Sequence, residues 1–205
     1  MNTHNILVLM AGLISVVLSG YWIRKSESIR SDQEEFYAFT NSWRRFGLLL
    51  GFVIAVRLTY PVNSIWGGFI LVGIASLFAT QFIIDMKYQE LANEWNILLG
   101  GLSVMYLLVK QPDNLLSHIV AWLILTILFF CWWAFSNGLG FGDVKFIFAT
   151  GFLLTTNQLL PYLSLTLFIA TVYGVGIMLL TKKGLKAEFA FGPFLVVGML
   201  LVGIT

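Results

Sequence analysis

The chain has 205 residues, 59% of them hydrophobic and 11% charged, with a net charge of +2. A water-soluble domain is nearer half apolar and a quarter charged, so this composition excludes one and points to an all-α, polytopic membrane helix bundle. The small net charge gives no basis for nucleic-acid binding. The single cysteine, Cys131, excludes an internal disulfide and a cysteine-rich zinc site, and no metal or other cofactor is expected.

Eight apolar segments are predicted, at about 6–23, 46–60, 64–84, 95–109, 115–135, 144–158, 162–181 and 193–205. A full span needs about 20 residues, so the second, fourth, sixth and eighth are short. Residues Met1 to Asn5 carry no Lys or Arg, and the basic cluster follows the first apolar run. That order reads as a first membrane helix that stays rather than a cleaved leader. The chain divides into this helix (1–23), a short cytoplasmic connector (24–45) and a membrane-embedded core (46–205). The connector mixes Glu27, Asp32, Glu34 and Glu35 with arginines, and Phe36, Tyr37, Phe39 and Trp43 give it an interfacial face.

Basic residues set the orientation. With the N-terminus outside, the inner side holds Arg24, Lys25, Arg30, Arg44, Arg45, Lys87, Lys145, Lys182, Lys183 and Lys186. The outer side keeps only Arg57 and Lys110. The asymmetry predicts N-out, C-out. Outer turns fall at Pro61 to Asn63, Gln111 to Asn114 and Asn157 to Pro161.

Within this topology two acids meet one membrane face. Asp85 ends the third segment and Asp143 opens the sixth, after the glycine-rich bend Gly138-Leu139-Gly140-Phe141-Gly142. An ionisable side chain at membrane depth is costly and marks a functional candidate. Taken singly, Asp143 is equally a helix cap and Asp85 reads as a solvated acid at a helix end. Together they form a pair in which both cannot ionise cheaply, so one keeps a proton. Such a pair holds a water between a base and an acid, which is aspartic-protease chemistry. Irregular backbone at this depth is tolerated only where protein or a wet cavity surrounds it.

Three stretches, in this order, resemble the type IV prepilin peptidases, the bacterial branch of the Gly-x-Gly-Asp membrane aspartic proteases. Asp85-Met86-Lys87-Tyr88-Gln89-Glu90-Leu91-Ala92-Asn93 is similar to the first-aspartate motif. Gly140-Phe141-Gly142-Asp143-Val144-Lys145 is similar to the signature. Glu188-Phe189-Ala190-Phe191-Gly192-Pro193-Phe194 resembles the C-terminal element. Ala92 and Ala190 stand where the family usually has proline. The resemblance implies a catalytic pair, Asp85 and Asp143, with Gly140, Gly142, Lys145, Asn93, Gly192 and Pro193 in supporting positions. It implies prepilin or pilin-like precursors as substrates, cut at the cytoplasmic face of a bacterial inner membrane, with the substrate helix docking from the lipid bilayer. Glu90, Glu94 and Glu188 form an acidic rim that can attract a basic leader or be simply solvated. Bifunctional members carry paired zinc-binding cysteines linked to N-methylation; residues 24–45 contain no cysteine, so neither zinc nor methyltransferase activity is expected.

Two other readings compete. A signal-peptide-peptidase-like protease is disfavoured because that branch has a tyrosine before its first acid, and here Ile84 precedes Asp85. A small ion- or proton-coupled transporter would place its acids near the midplane rather than at one edge. Of the remaining residues, His118 reads as a satisfied helix histidine, Cys131 as a packed thiol and Ser103 as a helix-packing residue. Gly67, Gly68, Gly73, Gly174, Gly176, Gly198 and Gly203 read as points of close helix approach.

Overall fold

A computed structural model describes residues 3–30, 41–60, 64–110, 112–136, 138–180 and 189–203. Eight α-helices lie among them: α1 (Thr3–Arg30), α2 (Asn41–Thr59), α3 (Ile65–Tyr88), α4 (Asn93–Lys110), α5 (Leu115–Phe135), α6 (Phe141–Thr150), α7 (Leu159–Leu180) and α8 (Gly192–Val202). No strand occurs among the described residues. Apolar side chains all round a helix leave the backbone bonded only to itself, the one open arrangement that lipid permits. The protein is therefore a multi-pass membrane helix bundle. Stretches of α1, α3, α5 and α7 are long and apolar enough to cross a bilayer, and α8 is a shorter apolar helix.

Helix α3 is the hub. Of its most apolar stretch 72% is buried, against 11% to 28% in the other three long helices. It packs against α1 and α2 on one side and against α4 and α8 on the other, while α6 bridges α4 and α5 and α7 packs on α8. Short side chains allow these approaches. A Cβ at Gly198 of α8 would run into Thr166 and Tyr162 of α7, and one at Gly73 would come 3.0 Å from Leu102. Gly68 and Gly176 differ from expectation: a Cβ at either meets nothing within 4 Å, so they face open surface.

Local sequence explains the helix ends. The Ser64 side chain accepts a hydrogen bond from the Gly67 N–H at the start of α3, and Asn114 does the same for Ser117 at the start of α5. Helix α3 stops where Gln89 takes a left-handed conformation (φ 53°) and its N–H closes on the Asp85 carbonyl. Pro193 occupies the first turn of α8, where no backbone N–H is needed.

Three boundaries depart from the sequence-based expectation. The sixth apolar segment begins earlier, at Phe141, and its α-helix ends at Thr150; 3₁₀ turns follow at Gly151–Leu153 and Thr156–Gln158. The expected outer turn at Asn157 to Pro161 is shorter, because Pro161 lies in the first turn of α7, a position proline tolerates. Helix α1 continues to Arg30, so the connector's first residues belong to it, and residues 31–40, with Phe36, Tyr37 and Phe39, lie outside the described residues. At this end the Arg44 guanidinium grips Glu27 with both Nη2 contacts (2.8 and 3.0 Å), tying α2 to α1. Trp95 of α4 joins them, donating from Nε1 to Ser26 Oγ at 2.7 Å and packing 5.0 Å from the Trp22 ring.

His118 is buried at the far end of the bundle, its Nδ1 2.9 Å from the Phe152 carbonyl. It is a satisfied helix histidine, as read from sequence. His118→Leu leaves that carbonyl without its partner. The expected result is a loss of about 1–3 kcal/mol of stability, read as a lower unfolding temperature in detergent, with turnover at permissive temperature unchanged. Ser103 returns its hydroxyl to the Leu99 carbonyl, a packing role. Cys131 corrects the expectation of a packed thiol: it is exposed on α5.

Candidate active site

Antiparallel neighbours bring the ends of five helices to one end of the bundle. Asp85 comes from the last turn of α3, and Asp143 is the third residue of α6. Both are almost fully enclosed, with 4% and 7% of their surface exposed. They are close enough for their charges to repel each other. The topology's main expectation, two acids meeting at one end, is thus realised in the fold.

A glycine stands against each acid. Asp85 Oδ2 accepts the Gly192 N–H at 2.8 Å, across a sequence separation of 107 residues. Gly192 opens α8, so the carboxylate sits where a helix N-terminus favours negative charge. The Asp143 N–H donates to the carbonyl of Gly140, the residue preceding α6, at 3.1 Å, and a Cβ at Gly140 would lie 3.4 Å from Asp143 Oδ2. Asp143 is a first-turn acid as well as a neighbour of Asp85, while the N-cap position of α6 is Gly140.

Close approach requires these glycines. A Cβ at Gly192 would lie 2.6 Å from Asp85 Oδ2 and 3.2 Å from Leu91 Cδ2. A Cβ at Gly142 would lie 3.1 Å from the Leu91 Cβ. Leu91, on the turn between α3 and α4, is thus wedged between the glycine before Asp143 and the glycine bonded to Asp85. It is 7% exposed and locks the three stretches together. The turn itself is held by Gln81, fully buried one helical turn before Asp85. Its Nε2 donates to the Ala92 carbonyl (3.3 Å) and to Asn96 Oδ1 (2.8 Å). The amide thereby fixes the backbone at the position where the resembling family has proline.

Gln81, Leu91 and Asn96 were not singled out from sequence. Gln81 could have been: an amide in a run of otherwise apolar membrane residues is costly unless bonded. Leu91 carried no such signal. The predicted supporting residues separate into two groups. Gly140, Gly142 and Gly192 contact the acid pair or its wedge, and Pro193 shapes the helix start beneath Asp85. Lys145 turns to Asn93, donating to Oδ1 at 2.7 Å, with its ammonium 4.8 Å from the Phe141 ring centroid. These neighbouring polar and aromatic groups hold its ammonium. Glu90 and Glu94 are exposed on the same rim, and Glu188 lies outside the described residues. Among the described residues no group of three or more His, Cys, Asp or Glu side chains is placed to hold a metal ion.

Comparison with known proteins points the same way. A model of the type IV leader peptidase family matches residues 70–178, more than half of the chain and including both acids. A prepilin leader peptidase/N-methyltransferase from Aeromonas salmonicida (strain A449) is 27% identical over 158 residues, which cover 73% of this chain and 52% of that protein. A protein of the same name from Aeromonas salmonicida matches to the same extent. The chain spans about half the length of the curated relatives it matches. No solved structure matches it. Two glycine-flanked acids at one end of a membrane bundle, inside a family match that takes in both acid-bearing helices, assign the chain: it belongs to the type IV leader peptidase family.

Proposed function

We propose that this protein is an aspartic endopeptidase that removes the leader peptide of prepilin or pilin-like precursors, and that Asp85 and Asp143 are its catalytic pair. The observation that carries the reading is the meeting of two enclosed acids at one end of the bundle, one of them bonded to the Gly192 backbone N–H. The excess of basic residues at that end supports a cytoplasmic orientation for it, with both termini outside, and the family supports a bacterial inner membrane as its location. Asp85 lies three residues from the end of α3 and Asp143 three from the start of α6, the depth of a membrane edge and not the midplane expected of a transport site.

The chemistry follows from one proton shared by two carboxylates. The ionised member takes a proton from a water molecule as its oxygen attacks the peptide carbonyl carbon. The protonated member hydrogen-bonds the carbonyl oxygen and stabilises the charge that gathers there. Collapse of the tetrahedral species breaks the C–N bond, and the departing nitrogen takes a proton from the pair. One water is consumed, and a new carboxyl group and a new amine are released. The Gly192 N–H on Asp85 orients one oxygen of that carboxylate, leaving the other for the water.

The test is processing of a candidate precursor by the purified protein in detergent or lipid, with the new N-terminus sequenced. Cleavage at one bond, just before the precursor's apolar helix, is the expected result. No cleavage of any pilin-like precursor, by a protein shown to be folded, would reject the proposal.

A further inference from the structure

Residues 89–92 form the turn between α3 and α4. Its last two residues and the first of α4 each hold a different element. Leu91 fills the space between Gly142 and Gly192. The Ala92 carbonyl accepts Gln81 Nε2 at 3.3 Å and the Asn96 N–H at 3.2 Å. Asn93 Oδ1 accepts the Lys145 ammonium at 2.7 Å. A shift of Ala92 therefore carries Leu91 and Asn93 with it, because adjoining residues share rigid peptide planes. Leu91 in turn bears on the glycine bonded to Asp85 and on the glycine before Asp143.

Gln81 is fully buried and shares one face of α3 with Asp85, a helical turn away. Its amide closes a ring. Nε2 donates to the Ala92 carbonyl and to Asn96 Oδ1, and the Asn96 N–H returns to the same carbonyl. The other amide atoms, Gln81 Oε1 and Asn96 Nδ2, are buried without a hydrogen-bond partner. Burying two amides with a free acceptor and a free donor is costly, and two apolar side chains of similar shape would fill the space more cheaply. What the ring supplies, and apolar packing does not, is direction: it fixes one carbonyl and so the backbone of the turn. Proline at position 92 would restrain that backbone through its own ring, and alanine does not.

We infer that Gln81 is a positioning residue of the peptidase: from α3 it sets the turn, the turn sets Leu91, and Leu91 sets the spacing of the two glycines that stand beside Asp85 and before Asp143. The inference rests on the peptidase reading and adds to it a residue outside the three motif stretches on which kcat depends. Gln81 touches neither substrate nor water and acts only through the backbone at Ala92. Without the ring both carboxylates remain, but Leu91 is free to slide between Gly142 and Gly192, and the acids lose their fixed spacing. A displacement of up to an ångström is enough to slow the chemical step about 100-fold. The loss falls on kcat, because what is disturbed is the arrangement that the transition state needs.

The test uses a prepilin already shown to be cut by the purified parent. Gln81→Met alone strands the Asn96 amide, so it is paired with Asn96→Leu, which removes both polar groups together. The paired variant is expected to unfold within a few degrees of the parent, to keep KM within about twofold and to lose about 30-fold in kcat. Backbone amide exchange at residues 89–93 is expected to quicken about fivefold or more. Adding Ala92→Pro restrains the same turn by other means, immediately before α4 where proline is tolerated, and is expected to bring kcat back to within about threefold of the parent. Thr80→Val is the control. It removes a buried hydroxyl bonded to the Ser76 carbonyl of the same helix and should leave kcat unchanged. Unchanged kcat in the paired variant, exchange at 89–93 as slow as in the parent, or a loss that a folded Ala92→Pro variant fails to restore would overturn the inference while the peptidase reading stood. A folded parent that cuts no prepilin would instead overturn the peptidase reading itself.

Discussion

Asp85→Asn and Asp143→Asn are each expected to lower precursor processing by about 10³-fold or more, the scale on which enzymes depend on positioned acid–base groups and charge stabilisation. The two substitutions are close to isosteric. An asparagine oxygen at position 85 still accepts the Gly192 N–H, and the backbone bond from residue 143 to the Gly140 carbonyl is untouched. The helix ends therefore keep their contacts, and what is lost is the carboxylate that takes or gives a proton. Equal and non-additive losses in the two single variants and the double variant would mark the acids as one unit. The measurement is cleavage of a purified precursor, alongside an unfolding temperature within a few degrees of the parent. Processing within tenfold of the parent in either variant would sink the two-acid mechanism.

Gly192→Ala is expected to reduce kcat by about 100-fold while KM changes little. Its new methyl group would stand 2.6 Å from Asp85 Oδ2 and 3.2 Å from Leu91. The oxygen belongs to a carboxylate in the last turn of a buried helix, so either Asp85 rotates or the start of α8 withdraws. Both lengthen the bond that orients the carboxylate, and misplacing a catalytic group by a fraction of an ångström to an ångström is enough for a loss on this scale. Gly192→Val should be worse, because the added branches must pass Leu91. Gly176→Ala is the matched control, with nothing within 4 Å of the new methyl group, and should leave kcat untouched. Unaltered kcat in Gly192→Ala would mean that the backbone bond to Asp85 does not position it for chemistry.

The contrast between these two positions shows where sequence reasoning was strong. Asp85 and Asp143 were visible because charge is scarce in this chain: an acid at the end of one apolar run and another at the start of a second stand out. The order of apolar segments and basic-residue counting then carried both to the same face. Gly192 was visible only through resemblance. Nothing local to residues 188–194 says that the N–H of one of them will close on a carboxylate more than a hundred residues earlier.

Other features follow the same division. The helix count, the capping roles of Ser64 and Asn114 and the buried, satisfied state of His118 derive from short-range rules. The end of the α6 helix at Thr150 does not. Apolar residues continue past it, and the change to 3₁₀ turns falls at Gly151, where a Cβ would come 3.3 Å from Trp122 Cα of a neighbouring helix.

Composition, hydropathy and charge placement alone determined that this is a membrane helix bundle, because lipid imposes those rules residue by residue. Only the tertiary structure decided that Leu91 is wedged between two glycines, that Gln81 holds the turn before Asn93, and that Lys145 faces Asn93. These depend on which side chains meet between helices, and in lipid that choice rests on shape and a few hydrogen bonds rather than on hydrophobic pattern, which is the same on every face.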